Sequence, residues 1–263
     1  MTSYDRGLVL GPGGVVGTAW LAGLAQGLRS SGVDLGAADL IVGTSAGAIV
    51  GAMLAGGEDL SRLSTARPSS SSSGPSRIEE VFAVLAGGAP DALRQVGAIA
   101  LATSAGPEEG HLSRIGRLVT ARAWPSTALL IPAIDTATGE PVVWDAASGA
   151  PLLAAVASSC AVPGVFPPIT VNGSRYMDGA FRAGSNADLA ADARSVVLVE
   201  PLAHLFPSAP PAEGVVAVAP DAGSLAAFGA DLHDAAAWAP SYQAGVRQAA
   251  AERDRIATRW RFA

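Results

Sequence analysis

The stretch Leu40–Gly57, LIVGTSAGAIVGAMLAGG, constrains this chain more than any other. A short β-branched run, Ile41-Val42, enters a tight turn, Gly43-Thr44-Ser45-Ala46-Gly47. Small apolar residues then run from Ala48 to Leu54 with no polar break. Strand, sharp turn and helix in that order form the setting in which G-x-S-x-G has a mechanical meaning. Glycines at 43 and 47 remove the Cβ atoms that would crowd a strained serine. The Ser45 hydroxyl would then stand above the first turn of a helix, where free N–H groups favour negative charge. A chain with 31 glycines and many serines also produces this pentapeptide by chance. On the motif alone, a nucleophile and a plain glycine turn both remain open.

Length and charge narrow the classes. At 263 residues the chain fits a single α/β domain, and 49% hydrophobic content supports a sizeable core. A net charge of −6 argues against a nucleic-acid partner. All seventeen basic residues are arginine, which excludes lysine Schiff-base chemistry and a P-loop lysine. The lone cysteine, Cys160, excludes an intrachain disulfide and a cysteine-rich zinc site; it reads as a buried small hydrophobe. Two uncharged runs, 7–28 and 40–57, are long enough to span a bilayer. Gly11-Pro12-Gly13-Gly14 breaks the first and the G-T-S-A-G turn breaks the second, so both read as interior segments. The N-terminal residues do not resemble a signal peptide, which gives a cytoplasmic expectation.

In order, Gly7–Leu10 reads as a strand, followed by Gly11-Pro12-Gly13-Gly14-Val15-Val16-Gly17 and a helix from about Thr18 to Ser30. This loop is not a dinucleotide fingerprint, because G-x-G-x-x-G from Gly11 requires glycine where Val16 stands. It can instead present adjacent backbone N–H groups to an oxyanion, or serve only as a helix-start turn. After the second helix comes a serine-rich linker, Arg67–Ser76, expected to be mobile. Helical patterns follow at Ile78–Leu85, Asp91–Thr103 and Glu108–Ala121; His111, in the last, reads as a surface residue. Ala128–Ile134 and Pro141–Trp144 read as a strand pair, and Pro151–Ser158 as a helix. Ile169–Val171 and Arg175–Met177 flank Asn172-Gly173, a strong hairpin signal, and the hairpin runs into Asp178-Gly179. Ser195–Glu200 and Gly214–Ala219 read as strands; Asp221–Gly229 and Tyr242–Ala257 read as closing helices.

Three features now line up: a glycine loop after the first strand, G-T-S-A-G after the second, and D-G-A after A-V-P-G-V-F-P-P and a hairpin. Together they resemble the patatin-like phospholipases, over about Leu8–Leu54 and Ala154–Leu198. The resemblance implies a three-layer α/β/α fold with a mainly parallel central sheet; the segment at about 61–123, outside the resemblance, reads from its serine-rich linker and low-charge helices as a cap-like helical insertion over the site. It implies hydrolysis of fatty-acyl lipid esters by a serine–aspartate dyad, with no cofactor and no metal. Ser45 would be the nucleophile and Asp178 its base. Backbone N–H groups of Gly13, Gly14 and Ala46 would form the oxyanion site, supported by Gly11, Gly17, Gly43, Gly47 and Gly179. A lipid substrate allows transient contact with a membrane surface; nothing fixes the oligomeric state. The family's loop usually reads G-G-x-[RK]-G, and here Val16 replaces the basic residue. The direct donors are backbone groups, so Val16→Arg is expected to raise kcat or leave it nearly unchanged. An acyltransferase would share every one of these residues. A non-catalytic lipid-binding protein on the same fold also remains open, as does, more weakly, a Ser-acid-His hydrolase.

Overall fold

The computed structural model describes residues 4–66, 76–103, 106–206 and 213–261. The first strand, β1 (Tyr4–Leu10), is buried from Gly7 onward and leads into α1 (Gly14–Ser30). β2 (Leu40–Gly43) leads into α2 (Ala46–Ala55). Three helices follow: α3 (Ile78–Ala86), α4 (Ala92–Ala102) and α5 (Glu108–Leu118). Next come β3 (Ala128–Asp135), β4 (Pro141–Trp144), α6 (Leu152–Ser159), β5 (Ile169–Val171) and β6 (Ser174–Asp178). A short helix, α7 (Ala180–Ala183), precedes β7 (Ala193–Val199), β8 (Val215–Val218), α8 (Ala222–Phe228) and α9 (Trp238–Arg261).

The sheet runs β5-β6-β3-β2-β1-β7-β8, with β4 also on β3. β8, β7, β1, β2 and β3 are mutually parallel, whereas β4, β5 and β6 pair antiparallel. The parallel strands are apolar on both faces, as a sheet covered on both sides requires. Leu8, Leu10, Ile41, Val197 and Val199 point to the layer of α1, α2, α6 and α9. Val9, Leu40, Val42, Val196 and Leu198 point to the opposite face, under Ala187–Ala190. This is the expected three-layer arrangement, with outer layers of unequal size.

Several boundaries differ from the sequence expectation. α1 begins at Gly14 rather than near Thr18, because Leu232 supplies the cap that the chain lacks locally. The N–H groups of Val15 and Val16 donate to its carbonyl at 2.8 and 3.3 Å. α9 begins at Trp238, before Pro240, which a helix tolerates in its first turn. The Asn172-Gly173 hairpin forms as expected, with φ of 50° and 86°. The insertion does not form one unit. α3 and α4 bury Val81, Val96 and Ile99 against Ile134 of β3 and Met177 of β6. α5 instead packs Ile115 and Leu118 into the main core beside α6. Most of the serine-rich linker, 67–75, lies outside the described residues. No helix among the described residues is long and apolar enough to cross a membrane.

Candidate active site

The site begins with strand register. Leu10 pairs with Gly43, so β1 and β2 end level and release the glycine loop and the Ser45 turn side by side. Thr44 donates its N–H to the Leu10 carbonyl at 3.0 Å, which extends the pairing into the turn. Ser45 then takes φ 54° and ψ −115°, a strained conformation for a residue with a side chain. Gly47 lets α2 start directly against β1, since a Cβ there would lie 1.9 Å from the Leu10 carbonyl oxygen. A Cβ on Gly43 would meet the Gly47 carbonyl oxygen at 2.5 Å, so glycine at 43 lets the first turn of α2 close over the end of β2.

Asp178 ends β6, paired with Ala133, and donates its N–H to the Ala161 carbonyl at 3.0 Å. Its side chain is buried, at 1% exposure. Burial raises its pKa to about 7, against the lowering effect of hydrogen bonds from the Ala180 N–H, at 2.8 Å, and the Ser45 hydroxyl. The structure therefore brings Ser45 and Asp178 together. Gly179 follows because the chain passes Pro132 closely; a Cβ there would stand 2.2 Å from the Pro132 oxygen.

Gly14 has φ 63°, and a Cβ on it would lie 2.7 Å from the Leu232 carbonyl oxygen. Gly11 donates to the Val199 carbonyl at 2.9 Å, and Gly13 and Gly17 pass close to Pro201. The N–H groups of Gly13, Gly14 and Ala46 have no protein partner among the described residues. Those of Val15 and Val16 are taken by Leu232. Val16 itself is 0% exposed in the main core. An arginine there would bring a charge into an apolar, filled space, which overturns the expected benefit of Val16→Arg.

His111 corrects the surface reading: it is 2% exposed. Its Nε2–H donates to the Ala157 carbonyl at 3.0 Å, so Nδ1 is left to accept from Arg114 at 3.1 Å. Burial, then the charge of Arg114, lower its pKa to about 3. Both ring nitrogens are engaged, so this histidine is a neutral strut and not a base. His233 is likewise lowered, mainly by burial. Among the described residues no group of three or more potential metal ligands occurs.

Three residues that the motifs did not reveal hold the Ser45 turn and the end of the Asp178 strand. Ser159 accepts the Ser45 N–H at 3.0 Å. The Cys160 thiol, pushed well up in pKa by burial and then by the charge of Asp178, stays protonated and donates to the Ser45 carbonyl at 3.2 Å. Asn186, with φ 57°, donates through Nδ2 to Thr44 Oγ1 at 3.0 Å and Gly179 oxygen at 3.1 Å, joining the turn that carries Ser45 to the one that follows Asp178. A buried S-S-C at a helix end and an asparagine in left-handed backbone were the only signals available.

A family model described as patatin-like phospholipase matches residues 8–191, most of the chain and every residue of the site. The chain belongs to the patatin-like phospholipase family. Membership brings lipid acyl hydrolysis as the family's general activity, with lipid esters as its substrates. The chain is also similar to the solved structure of VipD from Legionella pneumophila, at 13% identity and TM-score 0.49, over 95% of this chain and 67% of that one. No curated protein matches.

Proposed function

We propose that this patatin-like chain is a serine acyl-hydrolase of lipid esters that works through a Ser45–Asp178 dyad. The observation that carries the reading is the strained Ser45 facing a buried carboxylate, with no histidine hydrogen-bonded to either among the described residues. Ser45 Oγ attacks the ester carbonyl as its proton passes to Asp178. The tetrahedral oxyanion accepts from the N–H groups of Gly13, Gly14 and Ala46. The leaving alcohol takes the proton from Asp178, and water repeats the sequence to release the fatty acid. A base with pKa near 7 suits both halves of the cycle at neutral pH.

A row of aromatic rings supports contact with a lipid surface. Phe181, three residues beyond Asp178, lies 6.5 Å from Phe82, and Phe82 stacks on Phe206 at 6.2 Å. Phe82 and Phe206 are 44% and 56% exposed. Exposed apolar clusters of this kind mark interaction surfaces.

The test is turnover of a chain-length series of p-nitrophenyl esters by the wild type, Ser45→Ala and Asp178→Asn proteins, with water and an alcohol in competition. Free fatty acid as the product, lost in both variants, supports the reading. Transfer of the acyl group to the alcohol in preference to water identifies an acyltransferase. Fatty-acid binding without turnover in the wild type identifies a binding protein.

A further inference from the structure

Arg114 lies on α5, one turn beyond His111, and makes its contacts with uncharged groups; the Asp231 carboxylate lies 4.0 Å from His233 Nδ1. Its Cζ is 4.3 Å from the centroid of the Phe166 ring. Its Nη2 donates to His111 Nδ1 at 3.1 Å. Phe166 stacks on His111 at 5.0 Å and meets His233 edge-on at 5.8 Å. Both imidazoles are held neutral, chiefly by burial. Among the described residues no carboxylate lies within ion-pair distance of Arg114, although the side chain is half-buried. Burial lowers the Arg114 pKa. A guanidinium remains ionised under these conditions. A partly desolvated cation without a counter-ion is costly, and such charges are ordinarily paired.

Its place explains what could pair with it. His111 hangs from Ala157, two residues before Ser159. Cys160 holds the Ser45 carbonyl. Phe166 belongs to the link between α6 and the hairpin that carries Asp178. His233 follows Leu232, whose carbonyl caps α1 just past the glycine loop. The three segments that build the site thus meet around a guanidinium that no carboxylate among the described residues pairs with. The ring of Phe166 and the imidazole of His111 fix the guanidinium, and its other N–H groups have no partner among the described residues. That is the fork geometry that recognises phosphate in a bidentate manner.

We propose that Arg114 is the specificity-determining residue that binds a phosphate group carried by the acyl-ester substrate. The proposal rests on the Ser45–Asp178 reading and names the substrate it prefers: a phosphate-bearing lipid ester over its uncharged counterpart. No bond is made or broken at Arg114.

The experiment compares two monomeric substrates with the same acyl chain, a 1-acylglycerol phosphate and the uncharged 1-acylglycerol, with the full chain as enzyme. The quantity read is the ratio of their kcat/KM values. Arg114→Gln should lower that ratio about tenfold or more, the scale of one lost charge-assisted hydrogen-bonded pair. Arg114→Lys, which keeps the charge and loses the fork, should fall between; it decides the matter if Arg114→Gln does not fold by circular dichroism. Inorganic phosphate should raise the wild-type KM for the phosphate-bearing ester and leave that for the uncharged ester in place. A ratio unchanged in the variants, including an equal loss on both esters, would show that Arg114 only supports packing. Equal inhibition of both esters by phosphate would place a free anion, not the substrate's own group, at this site, and would also overturn the proposal. Failure of the underlying reading looks different: Ser45→Ala would retain turnover of both esters, whatever the ratio.

Discussion

At the scale of single residues, the proposed chemistry turns on two side chains and one missing Cβ. As the proposed base, Asp178 must be ionised to accept the Ser45 proton, so kcat/KM should rise with pH to a plateau with a midpoint near its pKa of about 7. A profile flat from pH 5 to 8 would contradict this. The same shift has a cost in stability. Because the folded-state pKa lies above the unfolded value near 3.8, folding binds a proton between those values, and stability falls as pH rises from about 4 to about 7. Asp178→Asn should therefore raise Tm at pH 8 while abolishing turnover, and the gain should vanish toward pH 4. Thermal melts at both pH values check the sign. At Gly14, φ 63° and a Leu232 carbonyl oxygen that would lie 2.7 Å from an added Cβ make alanine a backbone problem. Gly14→Ala should lower kcat by about a hundredfold or more, the scale of one lost oxyanion donor, with KM less affected. A folded Gly14→Ala protein with full kcat would remove the loop from the mechanism. The turns that carry Ser45 and Asp178, the residues of the proposed dyad, stood out in the sequence because glycine punctuates them. Ser159, Cys160 and Asn186 did not, because they act through hydrogen bonds between segments distant in sequence.

At the scale of elements, the strained turn between β2 and α2 is held from outside by the end of α6. Ser159→Ala would leave the buried Ser45 N–H unsatisfied, a penalty of ~1–3 kcal/mol, and free the nucleophile's backbone. The expected result is a lower Tm and a kcat reduced about tenfold, with Ser159→Thr recovering part of both. Position 16 shows where the sequence misled. The G-G-V-V-G pattern suggests a loop residue, but the helix already runs through Val16 and turns its side chain into the core. Val16→Arg should then cost a few kcal/mol and depress Tm strongly. The helix start was illegible because its cap, Leu232, lies more than two hundred residues away.

At the scale of the molecule, parallel strands buried on both faces and the antiparallel β3, β6 and β5 arm carry Ser45 and Asp178 to one place. The order of strands and helices was readable from apolar runs and turn residues. The division of α3–α5 was not, because periodicity shows that a helix has an apolar face without showing what covers it. α3 and α4 went to β3 and β6, and α5 to α6 beside the Arg114–Phe166 cluster. The aromatic row makes a prediction of its own. Phe82→Ser with Phe206→Ser should reduce sedimentation with phosphatidylcholine–phosphatidylglycerol vesicles, and turnover of vesicle substrate, more than turnover of a monomeric short-chain ester. An equal effect on both substrates would assign the rings to folding.

The central claim, that Ser45 is a nucleophile activated by Asp178, is tested most directly by the site of covalent capture. The wild-type protein is treated with a fluorophosphonate near pH 8, its intact mass measured and the adduct located by peptide mapping. One adduct on Ser45, absent from Ser45→Ala and formed far more slowly in Asp178→Asn, is the predicted result. Equal labelling of wild type and Ser45→Ala, or an adduct on another residue, would contradict it.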